Sequence, residues 1–145
     1  MLFDPLNSLR SGHVVVGVAG DPEIAGTIRR FCATLPCRVF IVDTPREALE
    51  LVASTGISLV VADERLGSMT GSRLLREVAR KSPSTARLLL ASRPGAFDEP
   101  QADEEKPHGV IAKSADPASL RRTVLAILRW QEERSRNQLK ADGAL

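Results

Sequence analysis

Asp63 is the residue best placed to do chemistry. It ends a wholly apolar run, Leu59-Val60-Val61-Ala62. Lys113 ends a second such run, Val110-Ile111-Ala112. Each has a plain reading alone: a turn aspartate after a strand, and an exposed lysine. Together, at the ends of strands in one sheet, they suggest an ion pair in a shared pocket. A carboxylate beside an ammonium suits binding or transfer of an anion such as phosphoryl.

Other chemistries find little support. Cys32 and Cys37 are too few for a disulfide framework and read as reduced, small hydrophobes. His13 and His108 lie far apart in sequence, neither in a metal-ligand spacing. No Ser-His-Asp arrangement, phosphate loop or paired catalytic carboxylates can be made out. Gly17-Val18-Ala19-Gly20 is too short for a dinucleotide fingerprint. The chain therefore reads as a binding or acceptor module, not an enzyme.

Elements must bring Asp63 and Lys113 together, and the chain supplies them. Its 145 residues suffice for one core. Five short apolar runs begin at Val14, Val39, Ile57, Leu88 and Val110. Runs that are apolar on both faces suit parallel strands covered by helices on each side. Helical spacing follows four of them: Ile24, Ile28, Phe31 and Leu35; Ala48, Leu49 and Val52; Leu74, Leu75 and Val78; Leu120, Val124, Ile127 and Leu128.

Helix starts are legible. Asp21-Pro22, Thr44-Pro45 and Asp116-Pro117 each pair a capping side chain with proline at the first helical position. Thr44 with Glu47 adds a capping box, and another start falls near Thr70-Gly71-Ser72. The expected fold is α/β: a three-layer, doubly wound, five-stranded parallel sheet in the flavodoxin-like order 2-1-3-4-5. In such sheets, sites gather at the carboxyl ends of the strands.

One βα unit departs from the rest. After the fourth strand come Pro94, Pro100 and Pro107, with Asp98, Glu99, Asp103, Glu104 and Glu105 among them. Proline inside a helix costs ~3 kcal/mol, so a loop or a degraded fourth helix is expected there. The last helix runs long. From Pro117 to Lys140 it would span about 36 Å, with its apolar positions stopping near Leu128 and Trp130. The expected organisation is an arm over 1–11, a domain over 12–130, and a polar helical extension and tail over 131–145.

Net charge is only +2. Arg121, Arg122, Arg129, Arg134, Arg136 and Lys140 could neutralise phosphates, but Glu132 and Glu133 interrupt them and no aromatic ladder accompanies them. A nucleic-acid partner is not expected. A homodimer through the last helix is the contact expected instead, because Trp130 sits where the apolar stripe ends. No run is long enough to span a membrane, and no secretory signal is visible at the first residues. A cytoplasmic protein is expected.

The ordered set of motifs resembles the receiver domain of two-component response regulators over about Gly12 to Arg129. The segment Leu59 to Gly71, with Asp63 and then Met69-Thr70-Gly71, is similar to the family's phosphoacceptor region. Gly109-Val110-Ile111-Ala112-Lys113 resembles its fifth strand and lysine, and Ala86 to Ser92 its fourth strand. Asp21-Pro22-Glu23-Ile24 resembles the start of its first helix. The resemblance implies a phosphoryl switch in bacterial signalling. A histidine kinase or other signalling protein is the partner, Asp63 the acceptor, Mg²⁺ the assisting ion, and Lys113 the phosphoryl's counter-charge.

Departures from the pattern are equally specific. Ala19 and Gly20 stand where the family carries its acidic, Mg²⁺-binding pair. Asp21, one residue later, and Asp63 remain as weak metal ligands; aligned one residue later, the pair falls on Gly20 and Asp21, and the one surviving ligand allows weak phosphorylation. Ala91 stands at the switch hydroxyl position, with Ser92 adjacent, where strand alternation would turn it to the other face. Val110 stands at the aromatic switch position, Ser114 at the usual proline after the lysine, and Gly67 at the usual proline of the acceptor turn. The expectation is an atypical receiver, or pseudo-receiver, with weak Mg²⁺ binding and impaired phosphorylation. The alternative function is an interaction or dimerisation module independent of phosphorylation.

Overall fold

The computed structural model describes residues 9–93, 105–141 and 143. Five strands form one sheet: β1 (His13–Val18), β2 (Cys37–Val42), β3 (Leu59–Asp63), β4 (Ala86–Ala91) and β5 (Gly109–Ala112). Four helices join or follow them: α1 (Pro22–Cys32), α2 (Pro45–Ser54), α3 (Gly71–Lys81) and α4 (Pro117–Ala141). The strand order is β2-β1-β3-β4-β5, and every pairing is parallel. This is the expected doubly wound fold. Residues 1–8 of the expected arm, the stretch 94–104 where the degraded fourth helix is expected, and residues 142, 144 and 145 lie outside the described residues.

Strand alternation divides the core. Val15, Leu59, Val61, Leu88 and Leu90 face α1 and α4, where Ile28, Phe31, Leu120, Val124 and Leu128 meet them. Val16, Val18, Val60, Ala62 and Leu89 face α2 and α3, against Ala48, Val52, Leu74, Leu75 and Val78. β3 is buried at all five positions and β4 at all six. That burial explains why their sequences lack the polar alternation of a half-exposed strand.

The caps lie where the sequence places them. Asp21 accepts a hydrogen bond from the Glu23 N–H at 2.9 Å, Thr44 from Glu47 at 3.3 Å and Thr70 from Arg73 at 3.1 Å. Asp116 accepts from the N–H and the hydroxyl of Ser119. These bonds hold the exposed Asp116 carboxyl below its usual range, the backbone bond contributing most.

α4 runs 25 residues without a break across position 130. Its length is about 37 Å, against about 20 Å for a six-residue strand, so it overruns the sheet. Its polar part does not simply stand in solvent: Gln131 and Glu132 are buried. The Gln131 amide donates to the Ser84 carbonyl at 3.3 Å. Further along, Leu139 is exposed. Among the described residues, no helix is long and apolar enough to cross a membrane.

Candidate functional site

Asp63 and Lys113 meet. The Lys113 Nζ stands 2.7 Å from Asp63 Oδ1. The aspartate side chain is 5% exposed and the lysine 22%. Backbone bonds set both positions. The Lys113 N–H donates to the Ala91 carbonyl at 2.9 Å, extending the β4–β5 ladder by one residue. The Arg65 N–H approaches Asp63 Oδ1 at 3.3 Å, closing the turn that leads to α3.

The acceptor turn requires its glycines. A Cβ at Gly71 would lie 2.0 Å from the Asp63 carbonyl oxygen. Only glycine lets the start of α3 press against the end of β3. Gly67 has φ +79°. Proline, fixed near −65°, cannot take that conformation.

Two residues beyond that pair complete the cluster. Glu64 Oε1 lies 3.5 Å from the Lys113 Nζ. The same oxygen accepts from the Ser92 N–H at 2.9 Å and the Ser92 hydroxyl at 2.5 Å. The Ser92 hydroxyl is the largest influence on the Glu64 carboxyl. Together with the Ser92 N–H and Lys113 it outweighs the cost of burial and holds the group below its ordinary range. Ser92 reaches this position because β4 ends at Ala91. Past the strand, alternation no longer dictates which face a side chain takes.

The remaining candidates fall elsewhere. Asp21 is exposed and caps α1. Ala19 is buried, and its side chain has no atom that could ligate a metal. Val110 pairs with Leu89 in the sheet and packs against the α2–α3 side of the core. Mg²⁺ prefers near-octahedral oxygen ligands. The side chains at this end offer Asp63, in contact with Lys113, and Glu64, bound to Ser92, with no acidic residue at 19 or 20. Among the described residues, no group of three or more His, Cys, Asp or Glu is arranged to hold a metal.

An acceptor-like aspartate and a lysine thus stand at the carboxyl ends of β3 and β5 in a 2-1-3-4-5 sheet. A sequence profile of the response regulator receiver domain matches residues 15–125. The chain belongs to the receiver domain family. Solved receiver structures share its fold. One is the signal receiver domain of an HD domain-containing protein from Pseudomonas fluorescens Pf-5, at 22% identity and a TM-score of 0.77. That match covers 89% of this chain and 96% of the other. Another is a CheY-like response regulator receiver domain from Methanospirillum hungatei JF-1, at 18% identity and a TM-score of 0.72. It covers 86% of this chain and 99% of the other. None of the curated proteins compared with the chain matches it.

The opposite end of this receiver holds a cluster that sequence reasoning missed. His13, 2% exposed, opens β1. Its Nδ1 lies 2.8 Å from the Ser58 Oγ, and its Nε2 lies 2.7 Å from Glu132 Oε1 on α4. The Arg10 N–H donates to the same oxygen at 2.5 Å. Burial pushes the Glu132 carboxyl up, but the Arg10 N–H and His13 outweigh it and hold the group below its usual range. Ser, His and Glu do line up here. The Ser58 Oγ also lies 3.4 Å from the Val14 N–H, and the buried imidazole is bound on both sides. The arrangement fastens chain segments rather than exposing a nucleophile. No sequence signal could find it, because 119 residues separate His13 from Glu132.

A second histidine lies at the same end. His108 Nδ1 accepts from the Arg87 N–H at 3.0 Å, and Arg87 Nη2 stands 3.1 Å from its Nε2. Its ring lies 4.0 Å from that of Trp130. Burial, then the nearby Arg87 and Arg134, lower its pKa to about 4.

Proposed function

We propose that this receiver works in two-component signalling chiefly as a protein-interaction module, with Asp63 impaired as a phosphoacceptor. The observation that supports this most directly is the 2.7 Å contact between Lys113 and Asp63, beside Ala19 and Gly20 where the acidic pair would stand. Mg²⁺ neutralises charge in receivers that carry that pair. The lysine is common to the family, so the difference here lies at positions 19 and 20, where no carboxylate helps to hold Mg²⁺; the ion is held weakly, and Lys113 is left as the main counter-charge to Asp63. A histidine kinase or another cytoplasmic signalling protein is the partner class. The chain performs no reaction on other molecules; any phosphoryl it accepts goes to its own Asp63.

The test is intact mass after incubation with a small phosphodonor and Mg²⁺, with an ordinary receiver labelled in parallel. The native chain gains little or no phosphoryl group, and Asp63→Asn gains none. Gly20→Asp restores one acidic ligand in open space, since a Cβ there meets nothing within 4 Å. That variant gains label that Asp63→Asn removes. Labelling of the native chain at the rate of the ordinary receiver would overturn the proposal.

A second contact reading concerns α4. Trp130 lies at the edge of the core and Leu139 is 46% exposed, which favours a homodimer through this helix. A sedimentation run showing only monomer at high concentration removes that reading.

A further inference from the structure

Three donors converge on one oxygen at the carboxyl end of the sheet. The Ser92 N–H, the Ser92 hydroxyl and the Lys113 ammonium all face Glu64 Oε1, at 2.9, 2.5 and 3.5 Å. Two of them are direct hydrogen bonds to a charged acceptor, the strong kind. A backbone amide, a hydroxyl and an ammonium make a donor set suited to one oxygen of a small oxyanion. In this molecule the oxyanion is a side chain of the chain itself.

The carboxylate is delivered from a fixed backbone. The Glu64 N–H donates to the Leu90 carbonyl at 2.9 Å, and the Glu64 carbonyl accepts from the Gly71 N–H at 2.9 Å. The first bond ties Glu64 to β4, on which Ser92 follows. The second ties it to the start of α3. The side chain is 16% exposed, so it lies against the protein rather than in free solution. Lys113 is shared: it stands 2.7 Å from Asp63 and 3.5 Å from Glu64. An oxyanion carried on Asp63 would need the same lysine, and Glu64 already holds the serine.

We infer that Glu64 is an internal ligand that fills the oxyanion position formed by Ser92 and Lys113. It draws the ends of β3, β4 and β5 together without phosphorylation, and it competes with any phosphoryl group on Asp63. This deepens the interaction-module reading, on which it rests for its consequence in signalling.

The test reads the Ser92 amide by proton–nitrogen NMR at constant pH and ionic strength, using the full unphosphorylated chain. In the native protein that amide proton lies downfield, as a bond to a carboxylate requires. In Glu64→Ala it moves upfield. Sodium formate, a carboxylate of the right size and charge, returns it in a saturable way, and sodium chloride does not. The rest of the spectrum reports that the variant is folded. Glu64→Gln, which keeps the shape but loses the charge, gives a smaller upfield shift and serves if the alanine variant does not fold.

An amide unmoved in either folded variant, or one moved alike by formate and chloride, would overturn the inference. A second arm uses the Gly20→Asp background. There, Glu64→Ala raises the rate of labelling by a small phosphodonor by about tenfold, or 1.4 kcal/mol. An unchanged rate refutes the competition. The Ser92 signal belongs to the unphosphorylated protein, so it stands or fails whether or not Asp63 can be labelled.

Discussion

The two ends of the sheet each hold a glutamate bound by a serine or histidine and a basic residue, and they put it to different use. At the carboxyl end, Glu64 meets Ser92 and Lys113 at a rim that water reaches. At the amino end, Glu132 meets His13 and the Arg10 backbone, with the imidazole 2% exposed. The first cluster lies where strands terminate and chain direction is free to change. The second lies where α4, running back past the sheet, crosses the start of β1. A polar group that water can reach is replaceable; a buried one loses its partner outright. The carboxyl end is therefore open to change in ligand, while the amino end acts as a fastening.

The largest expected effect separates backbone from side-chain control at the carboxyl end. Gly71→Ala places a methyl group against the Asp63 carbonyl and costs about 3 kcal/mol, read by urea unfolding. Glu132→Ala tests the fastening. It strands a buried imidazole and the Arg10 N–H, at a cost of about 2–3 kcal/mol in the same assay. It also loosens α4, seen as faster amide exchange beyond Trp130. A loss below ~0.5 kcal/mol would erase the contrast between the two ends.

Acid sharpens the comparison. His108, at the start of β5, has a folded pKa of about 4, below its ordinary 6.5. Between those values the unfolded chain binds the proton and the folded one does not. Stability therefore falls as pH drops from 6.5 towards 4, and is complete above 6.5. The partly exposed ring makes this worth about 1–2 kcal/mol. His108→Gln flattens that limb of the pH profile. Glu132 contributes at lower pH: its lowered carboxyl stabilises the fold above the unfolded value and ceases to do so as pH falls through the folded one.

Smaller effects belong to the rim. Glu64→Ala costs less than about 1 kcal/mol, because water takes over the freed donors, even as the Ser92 amide shifts. Gly20→Ala changes stability by no more than about 0.5 kcal/mol, since its Cβ meets open space. These two define a surface where ligand chemistry can be altered without unfolding the protein.

Much of this receiver follows from local chemistry that a sequence carries directly. Apolar runs specify strands buried on both faces, and Asp21, Thr44, Thr70 and Asp116 mark the helix starts. Parallel order then brings Asp63 and Lys113 to one end, because every strand points the same way. That Ala19 and Gly20, just past the end of β1, carry no carboxylate is legible for the same reason: the position is counted from a strand end. Tertiary structure alone decided three things. Ser92 turned towards Glu64 because the chain had left β4. Glu64 became an acceptor because bonds to Leu90 and Gly71 aim it. His13 found Glu132 because a helix longer than the sheet must return across the strand starts. These contacts join residues far apart in the chain, and a pattern of spacing cannot encode which side chains close a loop of 119 residues.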